Sequence, residues 1–218
     1  IFQTDFGLKD GAVSAMKGVA MGVSANLKVF DLTHEIPAYN IWEAGYRLYQ
    51  TAQYWPTGSV FVSVVDPGVG SARKSVVLKT KSGHYFVGPD NGQLTLVAES
   101  LGIAEVREID ETKNRLKNSN ESYTFHGRDV YAYTGARLAA GAISFDEVGP
   151  SLPAQVIKIE YQKAVLENDI IKGNIPILDI QYGNIWTNID KSSFAKLGLK
   201  YGDKLHVIIF NEAKKVYE

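Results

Sequence analysis

The feature that most constrains the fold is a near-continuous apolar run at residues 59–65 (SVFVSVV), which ends directly at Asp66. Such a run, rich in β-branched residues and without polar alternation, is typical of a strand that is buried on both faces. Strands of this kind occur in parallel sheets that carry helices on both sides. We therefore expect this run to be an inner strand of a parallel sheet.

Helices and further strands alternate around that run over the first 150 residues. Apolar or small side chains at positions 41, 42, 45, 48 and 49 have helical spacing. The alternation predicts an N-terminal α/β domain, residues 1–152, built on a mostly parallel sheet. Beyond Gly149-Pro150, short strands separated by Gly-Asn turns predict a smaller β-rich C-terminal domain, residues 153–218.

Composition excludes several classes of function. The 218 residues include 23 Lys and Arg, 24 Asp and Glu, and no Cys. The lack of cysteine excludes disulfides, thiolate metal sites and cysteine nucleophiles. A net charge of −1 argues against binding to nucleic acid or to an anionic membrane. The sequence has no apolar run near the roughly 18 residues of a membrane helix and no basic-then-apolar leader, so we expect a cytoplasmic protein.

Four short polar segments, most of them glycine-rich, point to a functional site. Asp5, Asp66 and Asp90 each follow a predicted strand, and ligands in parallel α/β sheets bind beyond the carboxyl ends of the strands. The fourth segment contains His126. Each segment also has a plain structural explanation, because the aspartates suit tight turns and His126 suits a hydrogen-bonded interior position. Four such segments together favour a shared site.

Other kinds of site fit the residues less well. Asp5, Asp66, His126 and Asp129 offer atoms for a metal, but the chain has no closely spaced His pair and no short carboxylate ladder. A Ser-His-Asp hydrolase of the usual α/β type would need a Gly-x-Ser-x-Gly elbow, which the sequence lacks. Residues 68–70 (GVG) are too short for a phosphate loop. We therefore expect neither a metal nor a cofactor.

A second cluster lies in the C-terminal part of the chain, at residues 179–188 (DIQYGNIWTN). It places Asp179, Asn184 and two aromatic residues, Tyr182 and Trp186, around one turn. Aromatic faces beside an anionic group suit a cationic ligand with a flat ring. A tryptophan packed under a turn, with Asn184 serving the turn geometry, explains the same residues equally well, and both interpretations stay open.

Five segments in chain order resemble the S-adenosyl-L-methionine (SAM) hydroxide adenosyltransferases, also called adenosine-forming SAM hydrolases. That family shares its fold with the bacterial fluorinases and chlorinases. Five segments in order, which together span nearly the whole chain, are far more specific than any one of them. The matching segments are residues 4–10 (TDFGLKD), 65–73 (VDPGVGSAR), 86–92 (FVGPDNG), 124–129 (TFHGRD) and 182–188 (YGNIWTN).

This resemblance implies an N-terminal α/β domain, a C-terminal β-barrel-like domain and a homotrimer. The sites of such a trimer lie between one subunit's N-terminal domain and its neighbour's C-terminal domain. The implied reaction is an SN2 substitution, in which activated water or hydroxide attacks the ribose C5′ of SAM and yields adenosine and methionine. SAM is then the substrate, and no further cofactor is implied.

The resemblance also assigns roles to individual residues. The water-activating trio falls on Asp66, Arg73 and His126. The ribose-binding carboxylate falls on Asp5, and Tyr39 corresponds more loosely to an aromatic residue near the ribose. The residues that hold the methionine end fall on Asp179, Asn184 and, by stacking, Trp186, and the neighbouring Tyr182 joins them as a candidate binding residue.

Halogenating relatives carry Tyr at the position of Asp66 and lack the Arg and His partners, so the intact trio favours water over halide. Two alternatives remain open: a SAM- or adenosine-binding module without turnover, and a halide-using adenosyl transferase. The family normally ends in a segment that cradles the adenine, and this sequence stops at Glu218 without it. We therefore expect the C-terminal domain to be truncated in this sequence, with the adenine-binding tail missing.

Overall fold

The structure is a computed structural model that describes residues 1–119, 125–211 and 214–217. The chain divides into two compact units, Ile1–Glu160 and Tyr161–Glu218. In the described part of the chain, no helix reaches the length and apolarity that crossing a bilayer requires. Thr124, the first residue of one of the matching segments, lies outside the described residues.

The first unit is built on a seven-stranded sheet in the order β2-β1-β3-β5-β4-β6-β7. Strands β1, β2, β3 and β5 are parallel neighbours, and β4 and β7 run against the strands beside them. The β4–β5 pair is the hairpin that the sequence predicts. The strands are β1 Phe2–Thr4, β2 Asp31–Thr33, β3 Val60–Val64, β4 Ser75–Thr80, β5 Tyr85–Pro89, β6 Ile103–Glu108 and β7 Ser151–Leu152.

Helices cover both faces of this sheet, as the apolar run predicts. All five residues of β3 are buried. On one face, Met16 and Ala136 pack with the valines of β3, and on the other, Leu48 and Val97 pack with Phe61. The helices are α1 Ala12–Val23, α2 Ile41–Ala52, α3 Thr95–Leu101, a π-helix Gly127–Ala132, α4 Tyr133–Ala139 and a 3-10 helix Phe145–Val148.

The second unit contains short antiparallel strands and one short helix. Its described residues form three separate two-stranded sheets, so the structure supports a β-rich unit, and the barrel-like arrangement stays a prediction. The elements are β8 Val165–Glu167, β9 Ile170–Lys172, β10 Ile177–Asp179, β11 Asn184–Trp186, α5 Lys191–Ala195, β12 Ile209–Asn211 and β13 Lys214–Tyr217.

Residues 153–160, which the sequence assigns to the C-terminal domain, pack with the first unit. The backbone N–H of Ile157 donates to Asp90 Oδ1 at 2.8 Å, and that of Ile159 donates to Thr95 Oγ1 at 2.9 Å. Val156 is buried in the core beneath α2 and α3. These contacts explain why the compact unit extends to Glu160.

Candidate active site

Three of the four polar segments lie at one edge of the sheet. Asp5, Asp66 and Asp90 follow β1, β3 and β5, which are adjacent parallel strands. Because the carboxyl ends of parallel strands meet at the same edge, the topology brings the three segments together there. This edge is therefore the place to look for the predicted site.

Asp66 and Arg73 form a closed ion pair at that edge. Arg73 Nε lies 3.0 Å from both carboxylate oxygens of Asp66, and Nη2 donates to Oδ2 at 2.6 Å. The side chains are only 6% and 10% exposed. Burial disfavours the charged guanidinium, but the hydrogen bonds to Asp66 outweigh it and raise the pKa of Arg73. The pair thus fixes a carboxylate and a permanent cation in one geometry.

Glycine shapes the loop that makes this pair possible. A Cβ on Gly68 would lie 3.2 Å from Ser71 Oγ and 3.3 Å from Arg73 Cγ, so a larger side chain would crowd the arginine stem. Gly70 has φ +78°, a left-handed conformation that favours glycine. The turn composition that the sequence shows here therefore serves to fold Arg73 back onto Asp66.

Ser75 and Tyr131 extend the pair into the interior. Arg73 Nη1 donates to Ser75 Oγ at 3.1 Å, and Ser75 Oγ lies 3.1 Å from the Tyr131 hydroxyl. The guanidinium carbon of Arg73 lies 5.7 Å from the centre of the Tyr131 ring. Burial raises the pKa of Tyr131, so this phenol stays neutral.

His126 lies against the opposite side of this assembly. It is 7% exposed, and its ring centre is 6.4 Å from that of Tyr131. Nε2 lies 3.6 Å from Glu111 Oε1 and 3.4 Å from Arg115 Nη2. Nδ1 is buried and has no hydrogen-bond partner among the described residues. The structure thus connects all three members of the predicted trio through Ser75, Glu111 and Tyr131.

The π-helix that follows His126 explains its position. Helices of this rare type appear mostly as single turns inside α-helices, and frequently at functional sites. A Cβ on Gly127 would lie 3.2 Å from Phe6 Cζ and 3.3 Å from Val64 Cγ1, so a larger residue would push these side chains away by a few tenths of an ångström. Phe6 also packs edge-on against Phe125 at 5.7 Å. His126 is therefore held beside the ends of β1 and β3.

Glu111 and Arg115 are members of this cluster that the sequence analysis missed. They form an ion pair four residues apart, and Ser75 Oγ also donates to Glu111 Oε1 at 3.5 Å. The contact with His126 and that with Arg115 lower the pKa of Glu111 to about 2, against the opposing effect of burial. Their only sequence signal is the i,i+4 spacing of opposite charges, which is common on surfaces.

Asp5 and Tyr39 also lie together at this edge, and their roles at the ribose stay a prediction from the resemblance. The backbone N–H of Tyr39 donates to Asp5 Oδ2 at 2.8 Å. Tyr39 has φ +64°, a costly conformation for a residue with a side chain, and its ring is exposed. The neighbouring loop is tied down by the 2.8 Å hydrogen bond from Gly7 N–H to the His34 carbonyl. Asp5 Oδ1 accepts no hydrogen bond from the described residues, so it remains for a ligand.

The segment around Asp90 has a structural explanation. Asp90 accepts the backbone N–H of Ile157, and burial raises the pKa of its carboxyl. Asn91 Nδ2 donates to the Val65 carbonyl at 2.8 Å, which ties the end of β5 to the end of β3. These two side chains hold the edge together, with Asp90 Oδ1 and both polar atoms of the Asn91 amide bound to backbone groups.

The C-terminal cluster lies on the β10–β11 hairpin of the second unit. Asp179 is paired with Asn184 across the hairpin, and Trp186 Nε1 donates to Asp179 Oδ2 at 3.2 Å. Trp186 is 40% exposed and Tyr182 is 73% exposed. Trp186 is therefore not packed under the turn, and the indole and the carboxylate form one exposed surface.

The acidic and histidine side chains do not assemble into a metal site in residues 1–119, 125–211 and 214–217. No three of them are grouped closely enough there to hold an ion. Asp129, which the sequence offers as a donor, is buried and paired with Arg128 Nε at 2.6 Å and Nη2 at 3.0 Å.

The chain is similar in sequence to a known protein family and to named proteins. Residues 1–149 match the family described as the SAM hydroxide adenosyltransferase N-terminal domain. A relative from Methanocaldococcus jannaschii, named (R)-S-adenosyl-L-methionine hydrolase, is 41% identical over 94% of this chain and 71% of its own length. A protein of the same name from Salinispora arenicola is 37% identical over 84% of this chain and 69% of its own length.

Two further similarities bear on the fold and on the choice of nucleophile. A fluorinase from Actinoplanes sp. is 27% identical over 95% of this chain and 77% of its own length. The crystal structure of an uncharacterized conserved protein from Thermotoga maritima matches with a TM-score of 0.87 and 40% identity. That match covers 93% of this chain and 75% of the crystallised one.

Proposed function

The chain belongs to the SAM hydroxide adenosyltransferase family, and on that premise we propose that it hydrolyses SAM to adenosine and methionine. The observation that carries the proposal is the buried Asp66–Arg73 pair, linked to His126 through Ser75, Glu111 and Tyr131. Its relatives are named for the (R) form of SAM, and we propose the same form as substrate here.

The reaction needs help for the nucleophile more than for the leaving group. SAM carries a sulfonium cation, so methionine leaves as a neutral thioether without an acid. Water is a weak nucleophile, and the site has to orient it in line with the C5′–S bond and remove its proton. As the O–C5′ bond forms, the C5′–S electron pair stays on sulfur, and the water proton passes to the protein and then to solvent.

The Asp66–Arg73 pair suits the orienting role. Asp66 Oδ2 accepts from both Nε and Nη2 of Arg73, whereas Oδ1 accepts from Nε alone and keeps a further lone pair that can accept a hydrogen bond from water. Arg73 stays cationic, and its fixed charge stabilises hydroxide character that develops on the water. We assign orientation to Asp66 and electrostatic stabilisation to Arg73.

His126 is the group in this cluster best suited to take the proton. An imidazole ordinarily titrates near neutral pH, which matches a general base to the working pH. Tyr131 is neutral and strongly held in that state, so it packs and donates rather than accepting protons. His126 Nε2 is occupied by Glu111 and Arg115, whereas Nδ1 is unused among the described residues.

The binding roles fall on two groups of residues. Asp5, which has one oxygen engaged by Tyr39 N–H, is proposed to accept hydrogen bonds from the ribose hydroxyls. The exposed carboxylate and indole of the β10–β11 hairpin are proposed to bind the methionine end and its cationic sulfur. The residues of that second group are Asp179, Tyr182, Asn184 and Trp186.

The finer architecture is also a proposal, and it rests on what the family resemblance implies. We propose a homotrimer in which the β-rich unit of one subunit contributes to the site of its neighbour, with that unit completed as a barrel-like domain. Size-exclusion chromatography with light scattering gives the mass of the assembly. A monomer that hydrolyses SAM at full rate would contradict the shared site.

Water rather than halide is the proposed nucleophile, although fluorinases are among the relatives. An anionic carboxylate at the position of Asp66 repels a halide but accepts a hydrogen bond from water.

One incubation tests the function. The purified chain is mixed with each sulfonium form of SAM, with and without fluoride or chloride, and the products are separated by chromatography. Equal amounts of adenosine and methionine from the (R) form support the proposal. Binding without product would make the chain a binding module, and 5′-halo-adenosine would make it a halide transferase. Asp66→Ala, treated in parallel, controls for contaminating hydrolases.

A further inference from the structure

The His126 ring faces an anion and a cation at the same nitrogen. Nε2 lies 3.6 Å from Glu111 Oε1 and 3.4 Å from Arg115 Nη2. For Nδ1 to accept the proton of the water, the neutral ring must carry its hydrogen on Nε2, where it faces the Glu111 carboxylate. When Nδ1 gains the proton, both nitrogens carry N–H and the ring becomes a cation. Gaining a proton therefore turns the Glu111 contact into an ion pair.

The neighbours of Glu111 fix the position of its carboxylate and keep it ionised. Its second oxygen pairs with Arg115, and Ser75 Oγ lies 3.5 Å from Oε1. Ser75 in turn accepts from Arg73 at 3.1 Å, so one serine touches both halves of the cluster. The pKa of Glu111 is lowered to about 2, first by His126 and then by Arg115, so it is an anion at every pH of interest.

Building on the proposed function, we propose that Glu111 is a positioning residue that stabilises the His126 imidazolium formed when the attacking water loses its proton. The oxygen of that water bonds to C5′, the C5′–S bond breaks towards sulfur, and the proton resides on His126 until solvent removes it. Glu111 touches neither water nor SAM in this scheme and acts through the imidazole.

The charges around His126 make Glu111 the group that favours the protonated ring over the neutral one. Among the described residues, the charged groups that contact the His126 ring are Glu111 and Arg115, and Arg73 lies farther away on the Tyr131 ring. Tyr131 is neutral. The two cations oppose a protonated ring, and Glu111 is the contact that favours it.

The test compares Glu111→Gln with the unchanged chain. The NMR titration of the His126 ring, assigned by the signal that is lost in His126→Asn, is expected to move its midpoint down by about 1 pH unit or more. The acid limb of the kcat profile should move down with it. The plateau kcat should fall about 10-fold because a weaker base takes the proton less well, while KM stays within about 2-fold.

Matched variants separate charge from shape. Glu111→Asp keeps the charge and should keep the acid limb near its original position. Glu105→Gln removes an exposed carboxylate that pairs with Lys79 at 3.4 Å, and it should change neither measurement. Should Glu111→Gln fail to fold, Arg115→Gln tests the same balance with opposite sign and should raise the His126 midpoint.

The outcomes distinguish this role from the function on which it rests. An unchanged chain that does not hydrolyse SAM overturns the function and this role together. An active chain whose Glu111→Gln variant keeps the His126 midpoint and the acid limb overturns the role of Glu111 alone. A loss of kcat without any shift in the acid limb also overturns it, because a purely structural contribution would give that result.

Discussion

The Asp66 cluster and the Asp179 cluster present similar residue types in opposite ways. In the first, an aspartate, two arginines and a histidine are largely buried, and they are bound to one another and to a partly exposed glutamate. In the second, an aspartate and a tryptophan lie on an exposed hairpin and share one 3.2 Å hydrogen bond. The first has its geometry fixed before any ligand arrives, which suits chemistry, and the second offers open surface, which suits binding.

Packing explains the difference. The first cluster is anchored to strands and helices of a sheet whose inner strands are buried on both faces. The second lies on a two-stranded sheet, a kind of element that has little stability by itself in water. Of the described residues in that unit, only Pro176 and Ile177 are buried. We therefore expect substitutions in the first cluster to change kcat and those in the second to change KM.

The largest expected effect is the loss of turnover in Asp66→Ala. Removing the carboxylate takes away the acceptor that orients water and leaves Arg73 without its buried partner, so kcat should fall about 1,000-fold while SAM binding stays within about 3-fold. Single-turnover kinetics and calorimetry measure the two quantities. Asp146→Ala is a matched control, because Asp146 also pairs with an arginine but lies on the surface. Normal turnover in Asp66→Ala would remove this residue from the mechanism.

The second effect concerns the ribose contact of Asp5. A 2′-deoxy analogue of SAM should bind about 30-fold more weakly, because a hydrogen bond from a neutral donor to a carboxylate is lost. In Asp5→Asn the amide oxygen can still accept from Tyr39 N–H, but the penalty for the deoxy analogue should largely disappear. Competition binding of SAM and its 2′-deoxy analogue to the unchanged chain and to Asp5→Asn measures how far the ribose hydroxyl and the Asp5 carboxylate depend on each other. A penalty of equal size in Asp5→Asn would place the ribose elsewhere.

The third effect tests the binding role of the hairpin. Trp186→Ala should raise KM about 10-fold and leave kcat within about 2-fold, because a stacked aromatic contact is lost and the reacting groups are untouched. Tyr201→Ala removes another exposed aromatic residue of the same unit and serves as control. A drop in kcat equal to that of Asp66→Ala would show that the two clusters do not divide the work in this way.

The extent to which sequence predicted this site follows from the physics of each element. The apolar β3 run and the Asp-Pro-Gly-Val-Gly turn are local patterns, so they predicted the buried strand and the loop that folds Arg73 back. The π-helix that begins at Gly127, by contrast, lies close to Phe6 and Val64, which are far away in the sequence. Such long-range contacts have no local signal.

Glu111 shows the same limit of sequence-based prediction for a candidate functional residue. It lies in a turn whose composition, Asp110-Glu111-Thr112-Lys113, is that of an ordinary surface loop. Its partner Ser75 is at the start of β4, and its partner His126 is fifteen residues further along the chain. A residue whose role comes from two contacts distant in sequence is visible only once the chain is folded.

The smallest expected effect is that of Glu111→Gln on the free energy of unfolding. Its dependence on pH tests whether the charge of Glu111 stabilises the first cluster. The pKa of Glu111 is lowered from 4.5 to about 2, so its stabilisation is complete above pH 4.5 and is lost as the pH falls to about 2. Because Glu111 is partly exposed, Glu111→Gln should lower the free energy of unfolding by only about 1 kcal/mol above that window. Urea titrations at several pH values measure the difference in free energy of unfolding between Glu111→Gln and the unchanged chain. That difference should shrink as the pH falls from 4.5 and vanish at about pH 2. Glu105→Gln should show no such convergence, and a Glu111→Gln difference that stays constant with pH would mean that shape rather than charge stabilises the buried cluster.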